Sequence, residues 1–367
     1  MNSSKDRIYW LGFSAFPGIG PLRFKLLLGY FKTAENIWKA SSEKLLKVGL
    51  GPKLTSKFCA FRREFELEKY QEDLDKKSVH YLILTDEKYP KLLRQIKDAP
   101  FVLYIKGKKT GEWDISKTIG VVGTRKVTGY GKEVTQRLTR ELVNYGFTIV
   151  SGMALGVDAV AHETALTSGS KTIAVLGSGV DLVYPPSNKY IYDHIVDGGG
   201  AVVSEFPLGM FTDKGLFPSR NRIISGLSLG VLVTEGAEDS GSLITASYAA
   251  EQGREVFAVP GPITSYLSKG PTKLIRAGAK LVESAEDIME ELNIKASKTQ
   301  RCKDTKKIKG DTQEEEKILK LLENEGLTGD EIIRLMALDS SKTNSLLTMM
   351  EVKGMIKCVE GRYQITI

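Results

Sequence analysis

Between Lys117 and Ser284 almost every short apolar run ends in a glycine or basic turn. These are GTR at Gly123–Arg125, SGMALG at Ser151–Gly156, GSG at Gly177–Gly179 and SGS at Ser240–Ser242, with FPSRNR at Phe217–Arg222 opening a further helix. Strand-like runs that alternate with helical patterns predict a parallel sheet, with such turns at the carboxyl ends of its strands. Helix N-termini placed there expose unpaired N–H groups and a partial positive charge. One end of this sheet is therefore suited to hold phosphate.

Missing motifs narrow the kind of phosphate. No Gly-x-x-x-x-Gly-Lys-Ser/Thr segment occurs, which argues against a P-loop triphosphate site. The dinucleotide fingerprint is incomplete, since GSGVDL at Gly177–Leu182 carries Leu182 where a third glycine should allow close helix packing. Nicotinamide and flavin chemistry are thus disfavoured, and no cofactor is expected. Cys59, Cys302 and Cys358 lie far apart, and His80, His162 and His194 form no ligand spacing with them. Neither a disulfide framework nor a metal site is expected.

The fold class expected is α/β: a Rossmann-like, mostly parallel sheet core, an N-terminal all-helical domain and a C-terminal winged helix. Residues 1–75 read as helical and SAM/helix-hairpin-helix-like, with an internal repeat, PGIGPLRFKLL at Pro17–Leu27 and VGLGPKLTSKF at Val48–Phe58. Two readings of the repeat stand: phosphate-binding turns with Arg23, Lys25, Lys53 and Lys57 as contacts, or tight turns between packed helices. Residues 76–292 form the extended Rossmann-like domain. Its strands are expected at Val79–Leu84, Phe101–Gly107, Thr118–Gly123, Phe147–Gly152, Lys171–Gly177, Gly200–Glu205, Leu229–Glu235, Glu255–Gly261 and Ala279–Val282.

Residues 293–312 read as a basic linker. Lys295–Thr312 holds seven basic residues against Asp304 and Asp311, so five of the formal +7 charges sit there. Gross charge therefore carries no nucleic-acid argument, which must rest on placed residues. Residues 313–367 have the helix, helix, helix and hairpin pattern of a winged helix, for which DNA reading and protein docking both stand. Hydrophobic content of 41% and no apolar run near the roughly 20 residues of a membrane span predict a soluble chain. The opening MNSSKDRIYWLGF lacks the apolar core of a signal peptide, and a cytoplasmic location is expected.

Six motifs in order carry a more specific message: GTRKVTGYG (Gly123–Gly131), SGMALGVDAVAH (Ser151–His162), FPSRNRIISGLS (Phe217–Ser228), VTEGAEDSGSLITA (Val233–Ala246), GREVFAVPG (Gly253–Gly261) and GPTKLIRAGA (Gly270–Ala279). Together they resemble the DNA-processing protein A family, also called Smf. The resemblance implies a non-enzymatic protein that binds and protects incoming single-stranded DNA and loads a RecA-type recombinase during natural transformation. It also implies a homodimer, with single-strand-binding protein as a further partner.

Candidate DNA-binding residues follow. Arg125 ends the first core strand, where a guanidinium can fork onto a phosphate already held by helix N–H groups. The family's pattern commonly has Ser where this chain has Thr124, and the hydroxyl is retained. Arg220, Asn221 and Arg222 open a helix that the resemblance places beside the same pocket, with Arg222 expected as the brace of the two arginines. Lys189 matches a DNA-contacting segment of the family, against the alternative of a solvated helix surface. Gly123, Ser151, Gly152, Gly177, Ser178, Gly241 and Ser242 would supply small side chains and backbone donors. Tyr130, Tyr184 and Phe217 are candidate stacking platforms, ranked below the cations. Asp158 is expected to brace a loop and Glu235 to accept N–H bonds near the SGS turn.

Two rival functions share these turns. One is a Rossmann-like nucleotide monophosphate phosphoribohydrolase using Glu235, although SGSLIT lacks the denser glycine turn of such enzymes. The other is a nucleotide-sensing or scaffolding protein whose tail recruits partners.

Overall fold

Runs of β-branched and apolar residues too short for helices assemble into a nine-stranded sheet in this computed structural model. It describes residues 6–107, 116–198, 200–211, 216–294, 310–322, 326–336, 339–359 and 361–365. The chain divides into two units, Met1–Arg301 and Cys302–Ile367. Most of the linker expected at 293–312 lies outside the described residues, as does Cys302.

The first unit opens with six helices, α1 (Arg7–Ala15), α2 (Pro21–Phe31), α3 (Ala34–Lys39), α4 (Ser42–Lys47), α5 (Pro52–Glu64) and α6 (Leu67–Lys76). In each repeat, a Gly-x-Gly turn leads into a helix that starts on proline at its first position, where the missing N–H has no intrahelical partner to lose. Trp10, Phe13, Phe24, Trp38 and Phe58 fill the interior of this bundle. It docks on the sheet through an apolar cluster shared with Val79, Phe101 and Val102, and through polar contacts: Tyr70 Oη donates to Tyr104 Oη at 3.2 Å, and the Leu208 N–H donates to Tyr70 Oη at 3.0 Å.

The sheet strands are β1 (Val79–Ile83), β2 (Val102–Gly107), β3 (Thr118–Val122), β4 (Thr148–Ser151), β5 (Thr172–Val175), β6 (Ala201–Ser204), β7 (Gly230–Val233), β8 (Glu255–Ala258) and β9 (Lys280–Leu281). Their order is β1-β2-β6-β5-β4-β3-β7-β8-β9. From β6 to β9 every pair is parallel, while β1–β2 and β2–β6 are antiparallel. Between them run α7 (Lys91–Arg94), α8 (Gly129–Asn144), α9 (Val157–Thr167), α10 (Lys189–Gly198), α11 (Leu216–Gly226), α12 (Gly241–Glu251), α13 (Lys269–Arg276) and α14 (Ala285–Glu291).

Strands β3 to β7 are buried throughout, which explains their unbroken apolar sequences. Neighbouring residues serve opposite layers: Val121 packs with Leu138, Leu142 and Val157, whereas Val122 packs with Ile223, Leu227 and Ala246. The chain steps outward from β3 in one direction through β4, β5 and β6, then restarts on its other side with β7. The switch point therefore lies between the carboxyl ends of β3 and β7, where ligands of open α/β sheets bind.

The second unit comprises α15 (Gln313–Leu322), β10 (Leu327–Thr328), α16 (Gly329–Met336), α17 (Ser340–Val352), β11 (Ile356–Val359) and β12 (Arg362–Ile365), with strand order β10-β12-β11. This is a winged helix closed around Ile318, Ile332, Leu347 and Met350.

Candidate functional site

A cleft of about 670 Å³ opens at the switch point, lined by Gly123 to Lys126, Asp158, Arg220, Asn221, Ser240 to Ser242 and Tyr266 among others. Each wall has a local cause. The turn after β3 is pinned when the Thr124 N–H donates to Glu235 O at 2.7 Å and the Lys126 N–H to Thr124 Oγ1 at 3.1 Å. The turn after β7 ends on Ser240, whose Oγ caps α12 by accepting from the Ser242 N–H at 3.4 Å. The first turn of α12 carries no acidic residue, so nothing within the helix offsets the positive end it turns to the cleft. Asn221 joins the walls by donating from Nδ2 to Gly241 O at 3.3 Å.

The floor is Arg220. Its side chain is 5% exposed, its Nη1 lies 4.0 Å from Asp158 Oδ2, and its buried Nε has no partner among the described residues. Burial lowers the guanidinium pKa, partly offset by Asp158, and Arg125 lowers it further. Burial raises the Asp158 carboxyl, against the pull of Arg220 and of the Ala154 and Gly152 N–H groups that Oδ2 accepts at 3.3 and 3.1 Å. A buried arginine at long range from its carboxylate, beside a second arginine and a helix N-terminus, gives the cleft a positive floor. An anion would complete it.

The structure brings Gly123, Thr124, Arg125, Arg220, Asn221, Gly241 and Ser242 together around this cleft. Ser151 and Gly152 lie under it rather than in it. The Ser151 hydroxyl donates to Val121 O at 2.7 Å, and Gly152 leaves room for the Arg220 guanidinium. Arg222 points elsewhere, pairing with Asp98 at 3.1 Å and with the buried Glu205. Gly177 and Ser178 follow β5, two strands from β3 and about 10 Å away. Ser178 is buried there, donating to Leu182 O at 3.2 Å. Lys189 opens α10 with Nζ 2.8 Å from both oxygens of Asp193.

Glu235 differs from its expected role near the SGS turn. Both its oxygens serve Thr128, accepting from the backbone N–H at 2.9 Å and the hydroxyl at 2.7 Å, so the carboxylate holds the entry to α8 instead. Tyr130 donates its hydroxyl to Pro260 O and does not line the cleft. Tyr184 also lies away from it, and the Phe217 side chain falls outside the described residues. Tyr266 was not foreseen; its only sequence signal is an aromatic in the polar segment between β8 and the GPTKLIRAGA motif. No group of three or more potential metal ligands occurs among the described residues, and no helix among them is long and apolar enough to cross a membrane.

Comparison with known proteins agrees with this architecture. Residues 80–293 match the family described as DNA recombination-mediator protein A, and residues 303–362 match the DprA winged helix domain. The chain is 39% identical to Protein Smf of Synechocystis over 294 residues, covering 79% of this chain and 73% of that one. It is 43% identical to DNA processing protein DprA of Bacillus subtilis over 241 residues, 66% of this chain and 76% of the relative. Among solved structures, DNA processing protein A of Streptococcus pneumoniae superposes with a TM-score of 0.67 at 34% identity, covering 79% of this chain and 99% of that one. The Helicobacter pylori protein, solved for its single-stranded DNA binding mode, gives a TM-score of 0.52 at 31% identity over 59% and 95% of the two chains. The chain belongs to the DNA-processing protein A family of recombination mediators.

Proposed function

We propose that the switch-point cleft grips the phosphate backbone of single-stranded DNA without regard to sequence, and that the chain delivers the strand to a RecA-type recombinase. The observation that carries this reading is Arg220, a buried guanidinium whose Nε has no partner among the described residues, in a cleft shared with Arg125 and the N-terminus of α12. Such a floor favours a fixed anion, and Arg125 at the exposed rim adds a second phosphate contact. The Helicobacter pylori relative, named for its single-stranded DNA binding, supports the choice of ligand. Lys189, Gly177 and Ser178 meet only a strand that runs on past the cleft.

Natural transformation, a cytoplasmic location and single-strand-binding protein as a partner belong to the same proposal. So does a homodimer. An apolar groove of about 730 Å³ between α12 and α13, beside the two-residue edge strand β9, is the face we assign to the second copy.

The role of Glu235 weighs against a phosphoribohydrolase, since a carboxylate already accepting two hydrogen bonds from Thr128 is poorly placed as a base. Fluorescence anisotropy of a labelled dT oligonucleotide across a salt series tests the reading. Salt-sensitive binding that Arg125→Ala with Arg220→Ala abolishes is expected; equal binding by the double variant, or release of free base from nucleotide monophosphates, would overturn it.

A further inference from the structure

We propose that Tyr266 is a base-stacking platform at the mouth of the cleft, so that the site holds a whole nucleotide, phosphate on Arg220 and base on the ring. This rests on the phosphate-binding reading above and extends it from the backbone to the base.

Tyr266 lines the same cleft as Thr124, Arg125, Arg220 and Ser242, yet it is 58% exposed. An aromatic ring left in water beside a cationic cleft retains an unused apolar face, which a nucleobase can cover whatever its identity. The ring is held in place before any ligand arrives. Its hydroxyl donates to Asp239 Oδ1 at 3.4 Å, and Lys269 Nζ lies 5.4 Å from the ring centroid. Holding the ring reduces the conformational entropy lost on stacking. The lysine stands over one face of the ring.

The cleft's dimensions fit this use. Its volume of about 670 Å³ suits a ligand of small-molecule size. Its lining combines the polar groups of Arg220 and Ser242 with the apolar surfaces of Ile244, Tyr266 and Leu267, both of which a nucleotide needs.

The test compares wild type, Tyr266→Ala and Tyr266→Phe on a dT oligonucleotide and on an abasic strand of equal length, which keeps the phosphates and lacks the bases. Tyr266→Ala is expected to weaken dT binding about five- to hundredfold while leaving the abasic strand unaffected. Tyr266→Phe, which keeps the ring, should restore dT binding. Equal weakening on both strands would assign Tyr266 a merely structural role and overturn the proposal, as would no effect on either. If wild type binds neither strand, the phosphate reading itself falls and the stacking role with it. Thermal melts of each variant confirm folding, which an exposed ring should not disturb.

Discussion

The guanidinium of Arg220 fills the space that a side chain on residue 152 would need, since a Cβ built on Gly152 would fall within that group. Glycine at this position is thus a condition for burying the arginine over Asp158. Gly152→Ala is expected to displace Arg220 and weaken single-strand binding roughly tenfold or more, the equivalent of losing a charged hydrogen bond of about 1.5–3 kcal/mol. Combined with Arg220→Ala it should add little, because both changes remove the same contact. Anisotropy on the two single variants and the double variant measures this coupling.

Salt separates the rim of the cleft from its surroundings. Each phosphate neutralised on a single strand contributes about −0.7 to the slope of log affinity against log salt. Arg125→Ala should make that slope shallower by about this amount. Lys189→Ala should leave binding of a short oligonucleotide unchanged and weaken only longer strands, because Lys189 stands outside the cleft in an ion pair with Asp193. Equal losses on short and long strands would place Lys189 in the cleft's own contacts.

Acid should act through His162. Burial and the nearby Arg220 lower its pKa from 6.5 to about 3, while its Nδ1 lies 2.8 Å from Thr172 Oγ1. The Thr172 hydroxyl donates to Ile149 O at 2.8 Å, so the imidazole Nδ1–H is the donor to Thr172. Between pH 6.5 and 3 the unfolded chain binds a proton here that the folded chain refuses, so stability falls as pH falls, on the order of 1.4 kcal/mol per unit. His162→Asn, which can still donate to Thr172, should flatten this part of the profile. Denaturant midpoints for both proteins at several pH values isolate the histidine from the oppositely signed effect of Asp158, whose carboxyl is raised.

The winged helix is expected to contribute nothing to strand affinity. The two lysines associated with its third helix are already engaged: Lys342 Nζ lies 3.0 Å from Glu314, and Lys353 Nζ lies 2.7 Å from Asp311 and 2.8 Å from Glu315. Removing residues from 310 onward should leave dT binding unchanged. A loss of affinity after truncation would mean that these lysines exchange their carboxylates for phosphates.

Strands β3 to β7 were legible because each is short, apolar and bounded by a glycine or polar turn, and burial on both faces leaves little room for other sequences. The placement of Arg125 and the SGS turn at one cleft was legible because each directly follows a strand end. Arg222 was expected as the brace of the two arginines, but its partners Glu205 and Asp98, and Asp158 beside Arg220, are brought near only by the fold. Glu235 and Thr128 likewise meet across 107 positions. Gly177 and Ser178 looked equivalent to the other turns because a turn motif does not reveal strand order, and two strands' separation removes them from the cleft. The Lys189–Asp193 pair, by contrast, has the four-residue helical spacing that sequence alone displays.

The cleft is assembled from segments near residues 123, 154, 220, 240 and 266, so no contiguous fragment carries it. A chain emerging during synthesis lacks a wall until β8 and the loop beyond it have been made. Binding competence is therefore a late product of folding, and a ligand held there stabilises the joined halves of the sheet rather than any one segment. By mass action, saturating DNA should raise the melting temperature of the whole first unit, making strand capture and cooperative folding two readings of one equilibrium.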